Sequence, residues 1–240
     1  MARRRFFVPE VRRNAAEMTG PDAEHLVRVL RVEPGQRFEI SDNRNVYLAE
    51  VETARKSIVE FRIVESIASR PALFQVTLIA ALFKFDHFEW MIEKATELGV
   101  STIQPVEAIR TERGLAQASM KRLSRWERIA LEASQQSRRD HLPQIEPTVR
   151  FTKSLTTVAD IRLLLDESFD APPILRCLPP KRPANPQIAL LLGPEGGWTD
   201  EERAEALSAS WQPCSLGLTI LRAETAALAA LAIVGAWAAE

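Results

Sequence analysis

Ile188-Ala-Leu-Leu-Leu-Gly193-Pro-Glu-Gly-Gly197-Trp198-Thr-Asp-Glu-Glu202 decides how the chain is read. Its first five residues are apolar without interruption, the pattern of a strand buried on both faces, as in a parallel sheet covered by helices. The run passes through a glycine-rich turn into a helix whose start is marked by Thr199 and Glu202 at capping-box spacing. Open α/β sheets hold their ligands at such strand-to-helix turns. The turn carries neither GxGxxG nor a P-loop, and Asp200, Glu201 and Glu202 would repel a phosphate that the helix dipole otherwise attracts. The local field suits a neutral or cationic ligand; the alternative is a tight turn with no ligand.

A second loop, Ser215-Leu216-Gly217-Leu-Thr-Ile-Leu221-Arg222-Ala223-Glu224-Thr225, again joins a short strand to a helix, here Ala226–Ala239. That helix is apolar on every side, so it is expected to be buried, in part against a second copy of the chain. Arg222 and Glu224 stand just before it, and charges so placed need a partner or a task. An ion pair capping the helix start is the plainer alternative. Trp198 reads as a core tryptophan beside the first loop.

Strands and helices alternate around these loops. Gln75–Ala81, Ser101–Val106 and Arg162–Leu165 read as strands; 86–98 reads as a helix with Asp86 as N-cap and Glu89 at capping spacing, and Leu115–Gln136 as one long helix. The stretch from Pro172 to Pro186 holds six prolines and reads as an irregular connection. The first third is β-rich, with strands at Arg37–Ser41, Val46–Glu52 and Ser57–Glu65. One helix, Pro21–Arg31, interrupts it, with Thr19 and Asp22 at capping-box spacing and Pro34-Gly35 closing it. Pro71 is the expected boundary, giving domains at 1–70 and 71–240 in a chain of α/β class.

The chain's 240 residues carry 31 Lys plus Arg against 32 Asp plus Glu, which excludes a globally basic nucleic-acid binder. The average hides an uneven distribution: residues 1–70 hold 13 basic and 11 acidic side chains (+2), and residues 110–139 hold 8 and 3 (+5). The second group, from Arg110 and Arg113 to Arg138 and Arg139, can meet phosphates or simply form a solvated helix face. Cys177 and Cys214 are too few for a disulfide framework and point to a reducing compartment. No signal peptide is read, and the 14-residue run Ala226–Ala239 is short for a membrane span, so a cytoplasmic protein is expected. His25, His87 and His141 lack metal-ligand spacing, and no metal is expected.

Several segments together resemble one family. His25-Leu-Val-Arg28-Val-Leu-Arg31 with Pro34-Gly35, Lys94-Ala-Thr-Glu97-Leu-Gly-Val, Thr111-Glu112-Arg113, Leu192-Gly-Pro-Glu-Gly-Gly197 and Leu221-Arg222-Ala-Glu224-Thr225-Ala226 are similar, in order, to signatures of the ribosomal small-subunit RNA uridine N3-methyltransferases (RsmE), within the SPOUT class. Leu218-Thr219 departs from the basic residue or proline pair usual there, and Gln135 and Arg138 depart near the E-Q-S-G-R segment.

The resemblance implies a PUA-like β-barrel RNA-binding domain, a SPOUT α/β domain with a deep trefoil knot, and a homodimer with cofactor sites at the interface. It implies S-adenosyl-L-methionine-dependent methylation of N3 of a uridine in 16S rRNA, on naked rRNA or the assembled small ribosomal subunit, without membrane or metal. Leu192, Gly193, Pro194, Glu195, Gly196, Gly197, Leu216, Gly217, Leu221, Thr225 and Ala226 would hold the cofactor. Arg222 would stabilise charge on the base; Glu224 would orient Arg222 or accept the proton, with Glu195 a weaker candidate for base. Arg28, Arg31, Arg110, Arg113 and Arg139, with Arg3, Arg4 and Arg5, would grip RNA phosphates. A first cofactor loop is expected around Asp166–Asp170. Competing readings are methylation of another rRNA or tRNA base or ribose, a non-catalytic RNA-binding assembly factor, and a nucleotide-dependent oxidoreductase.

Overall fold

The computed structural model describes residues 5–69, 72–168 and 170–239. Arg3, Arg4 and Pro71 lie outside them. The chain divides into two compact units, 1–71 with 134–142, and 72–133 with 143–240.

In the first unit, β1 (Arg5–Phe7), β2 (Val11–Arg12), β3 (Ala15–Thr19), β4 (Arg37–Ser41), β5 (Val46–Arg55) and β6 (Ile58–Ile67) form one sheet in the order β1-β4-β5-β6-β3-β2. Alternation along the strands sends Phe6, Ile40, Val51, Val59 and Phe61 into a core closed by Ala23 and Leu26 of α1 (Gly20–Arg28). The capping box expected at Thr19 does not form: Thr19 is the N-cap residue but its side chain makes no capping bond. Pro21 lacks an N–H to be capped, and the helix stops at Arg28, three residues early, because Arg31 turns to φ +51°. Residues 134–142 join this unit: Arg5 pairs with Glu39 at 2.9 Å and with Asp140, and Ser41 Oγ donates to the Asp140 carbonyl at 2.7 Å.

The second unit is built on a sheet whose ladders are all parallel. It contains β7 (Gln75–Ala81), β8 (Thr102–Glu107), β9 (Gln144–Ile145), β10 (Val149–Arg150), β11 (Ile161–Leu165), β12 (Gln187–Leu192) and β13 (Gln212–Cys214), in the order β10-β8-β7-β12-β11-β13 with β9 beside β8. Its helices are α2 (Phe85–Glu97), α3 (Leu115–Ser119), α4 (Leu123–Ser137), α5 (Phe151–Ser154), α6 (Ile174–Cys177), α7 (Asp200–Ser208) and α8 (Ala223–Ala239). Buried side chains on both faces of β12, such as Leu190 and Leu191, feed two separate core clusters, which is why that strand is uninterruptedly apolar.

Three helical expectations are corrected. The helix expected over 86–98 starts at Phe85 after Lys84, without a side-chain cap. Glu89 is instead a buried ion-pair acceptor, for Arg122 at 2.7 Å and Arg125 at 2.8 Å. Leu115–Gln136 breaks into α3 and α4, because buried Ser119 turns its hydroxyl back onto the Ala116 carbonyl at 2.6 Å and competes with the helical ladder. The last helix begins at Ala223, so Glu224 and Thr225 lie within it.

Candidate functional site

Because β7, β12, β11 and β13 are parallel neighbours, their C-terminal ends open on one edge of the sheet. The loops that follow them, starting at Leu82, Asp166, Gly193 and Ser215, therefore converge, and they enclose a cleft of about 710 Å³. Of the expected cofactor residues, Leu192, Gly193, Pro194, Glu195, Gly197, Leu216, Gly217, Leu221 and Ala226 line it; Gly196 and Thr225 do not. Arg222 and Glu224 both face it.

The first loop is shaped by packing. Trp198 is buried and donates from Nε1 to the Leu165 carbonyl at 3.1 Å, so it is both a core residue and a wall of the cleft. Its indole crowds Gly193, where an added Cβ would stand 3.1 Å from the ring. Gly197 has φ +68° and faces Glu167, whose Oε1 would lie 2.7 Å from an added Cβ. These two contacts explain the glycines without reference to a ligand.

The capping box on α7 forms as read: Thr199 N donates to Glu202 Oε2 at 3.0 Å and Glu202 N to Thr199 Oγ1 at 3.2 Å. Glu202 also accepts from Ile109 N at 2.8 Å. That contact brings Arg110 over the loop, where Nη1 donates to the carbonyls of Gly196 at 2.7 Å and Trp198 at 3.2 Å. Hydrogen bonding at the helix start, first from its own backbone and then from Thr199, holds the Glu201 carboxyl below its ordinary value.

Glu224 is 7% exposed, and its Oε1 lies 3.2 Å from His87 Nδ1. Sequence proximity suggested that Glu224 orients Arg222; the partner found is His87. Among the described residues Arg222 has no ion-pair or side-chain hydrogen-bond partner and is exposed at the cleft. Lys84, His87 and Arg203 also line the cleft and were missed as site residues, whereas Asp166 and Glu167, which line it too, fall in the first cofactor loop expected around Asp166–Asp170. Lys84 and His87 follow β7, and Asp166 follows β11; a charged residue just past an apolar strand of an α/β sheet is the signal that marked them. Asp166, Glu167, Glu195 and Glu224 line the cleft together with Lys84, Arg203 and Arg222, so its charge is mixed, although the glycine loop by itself suggested a field suited to a neutral or cationic ligand.

The basic residues expected to grip RNA fall on both units. Arg28 is exposed with a Glu24 contact at 3.7 Å; Arg31 is exposed and so is Arg113. Arg139 is partly buried, donates from Nε to the His141 carbonyl at 3.1 Å, and is pushed down by burial to about 10, still charged at neutral pH. Among the described residues no helix is long and apolar enough to cross a membrane, and no cluster of three metal-ligating side chains occurs.

Comparison with known proteins agrees with this geometry. A family described as RNA methyltransferase domain matches residues 70–235, and one described as RNA methyltransferase PUA domain matches residues 18–64. A ribosomal RNA small subunit methyltransferase E of Synechocystis sp. is 36% identical, covering 98% of this chain and 78% of its own; that of Bacillus subtilis is 29% identical over 96% and 95%. The crystal structure of a ribosomal RNA small subunit methyltransferase E from Neisseria gonorrhoeae bound to S-adenosyl methionine matches at a TM-score of 0.85, with 29% identity and 98% of each chain covered. A Legionella pneumophila methyltransferase in complex with the same cofactor matches at 0.89, with 27% identity over 99% and 98%. With the family match spanning most of the chain and both loops in place on its sheet edge, the chain belongs to the RNA methyltransferase family of the ribosomal RNA small subunit methyltransferase E proteins.

Proposed function

We propose that the protein uses S-adenosyl-L-methionine to methylate N3 of a uridine in 16S rRNA of the small ribosomal subunit, acting in the cytoplasm as a homodimer. The convergence of the Leu192–Gly197 and Leu216–Leu221 segments with Arg222 in one cleft carries this reading. The cleft fits the cofactor chemically: Leu192, Pro173, Leu216, Leu221 and Ala226 offer apolar surface to an uncharged adenosine, and Glu167, Glu195 and Asp166 offer carboxylates to its cationic groups. When bound, S-adenosylmethionine supplies a methyl group on a sulfonium.

The protein's own groups then act on the base. Uracil N3 bears a proton in the neutral ring and must lose it as it becomes nucleophilic. Arg222, which lines the cleft and has no ion-pair partner among the described residues, is placed to donate to carbonyl oxygens on which negative charge develops. N3 lies on the pairing edge, so the nucleotide enters unpaired or flipped. Arg28, Arg31, Arg113 and Arg139 contact phosphates and position the RNA; Arg110, already bonded to the glycine loop, acts chiefly as its brace.

Dimerisation accounts for apolar groups left at the surface. Leu218 and Ile220 on the second loop are 95% and 79% exposed, and Thr225, Ala232 and Ala236 give α8 an uncharged outer stripe. The trefoil knot and a closed barrel in the first unit, expected from the resemblance, belong to the same proposal. The test is transfer of labelled methyl to naked rRNA and to assembled small subunits, with nucleoside mass spectrometry of the product. Formation of 3-methyluridine alone supports the reading. A different methylated nucleoside changes the target, and a protein that does not bind S-adenosylmethionine in calorimetry is an assembly factor instead.

A further inference from the structure

We propose that His87 takes the N3 proton from the target base and that Glu224 is its positioning residue; this rests on the function proposed above. Two observations carry it. Glu224 is a buried carboxylate on α8 whose neighbour is an imidazole, not the arginine two residues before it: Oε1 is 3.2 Å from Nδ1 of His87 on α2. His87 is itself open to the cleft, with its side chain 38% exposed, so one ring edge lies beside Glu224 while the ring still reaches the cleft. A carboxylate beside Nδ1 keeps the neutral ring's hydrogen on that nitrogen, leaving Nε2 with a lone pair.

Glu224 is a poorer acceptor for the base proton than the ring it holds. Both line the cleft, but the Glu224 side chain is only 9% exposed and lies against the ring, whereas the imidazole is 38% exposed. In the step, His87 Nε2 gains the N3 proton, and N3 keeps the electron pair with which it bonds the methyl carbon. The pair of the broken methyl–sulfur bond stays on sulfur. One positive charge thereby leaves the donor and one appears on the imidazolium, next to the Glu224 carboxylate. Asp86 lies 3.9 Å from Nε2 on the same helix, and Lys84, just before that helix, lines the cleft together with Asp166, Glu167, Glu195, Arg203 and Arg222.

His87→Gln, Glu224→Ala and Glu224→Gln test this on the full-length protein. His87→Gln is expected to bind S-adenosylmethionine as the wild type does and to lose about 100-fold in methyl transfer at neutral pH. Its rate should climb with pH as the base ionises unaided, without the acid limb expected of the wild type. Independently of activity, nitrogen-15 shifts of the neutral imidazole should place the hydrogen on Nδ1 in the wild type and in Glu224→Gln, whose amide oxygen still accepts it. In Glu224→Ala the hydrogen should move toward Nε2. A His87→Gln protein with wild-type rate and acid limb overturns the assignment, as does a wild-type ring carrying its hydrogen on Nε2. No transfer to RNA by a wild-type protein that shows the Nδ1 tautomer would overturn the proposed function instead, and the proton-transfer role with it.

Discussion

Arg203 donates from Nε to both oxygens of Asp166, at 3.1 and 3.3 Å, and the Asp166 side chain is only 5% exposed. The same guanidinium donates from Nη1 to the Trp198 carbonyl at 2.9 Å. One side chain of α7 thus ties the loop after β11 to the loop after β12, two walls of one cleft. Arg203→Ala leaves a buried carboxylate uncompensated, and the expected loss is about 3 kcal/mol of unfolding free energy. Chemical denaturation measures it, and Arg203→Lys, which keeps the charge without the fork, should lose less. An alanine variant within a few tenths of a kcal/mol of wild type would show that the pair does not hold the loops.

Gly197 and Gly196 are neighbours with opposite tolerance. Gly197 sits at φ +68° with Glu167 Oε1 2.7 Å from an added Cβ, whereas at Gly196 the nearest atoms are the Arg110 side chain at 3.4 Å. Gly197→Ala should cost roughly 1 to 2 kcal/mol from backbone strain. If the loop holds the cofactor, its affinity should fall about tenfold for each 1.4 kcal/mol carried into binding. Gly196→Ala should be near neutral. Adding Glu167→Ala to Gly197→Ala should relieve the steric share and leave the strain. Chemical denaturation of the wild type and the three variants separates these contributions, and calorimetric titration of the two single variants with S-adenosylmethionine reads the share carried into binding.

Burial pushes the Cys214 thiol up to about 12 and raises that of Cys177 as well. The thiolate is the reactive form, so at pH 8 the fraction of Cys214 available is on the order of one in ten thousand. Native protein should therefore react slowly with iodoacetamide at pH 8, and both thiols should react rapidly in denaturant. Because the folded thiol is raised, the neutral thiol favours the folded state fully below the unfolded value near 9. That contribution is lost as pH rises from 9 toward 12. Rapid native labelling at pH 8 would contradict the packing of β13 against α6.

What was legible in the sequence is what depends on neighbours in sequence. β12 is written in five consecutive apolar residues, and the cap of α7 in the spacing of Thr199 and Glu202. Lys84 and His87 reach the cleft because Ala80 of β7 pairs with Leu192 of β12, a register set by the whole sheet rather than by local pattern. Glu89 had the spacing of a cap but serves as the acceptor for two arginines a helix away. Arg222 and Glu224 invited pairing by adjacency, yet residues two apart at a helix start do not face one another. Glu224 turned to α2 instead.

Arg222 is the sharpest test of the chemistry because nothing in the fold depends on it. It is exposed, lines the cleft, and among the described residues has no side-chain partner to strand. Arg222→Ala should therefore unfold at the wild-type denaturant concentration and bind S-adenosylmethionine normally. Methyl transfer should fall by about 100-fold to 1,000-fold, the usual loss when one donor to a developing anion is removed. Arg222→Lys should recover only part of the rate, since an ammonium supplies the charge but not the planar fork. The loss should appear in kcat rather than in cofactor affinity, because the donor meets charge that exists only as N3 loses its proton. Turnover of the alanine variant at the wild-type rate would remove Arg222 from the reaction and leave stabilisation of the anion to Lys84, another cation that lines the cleft.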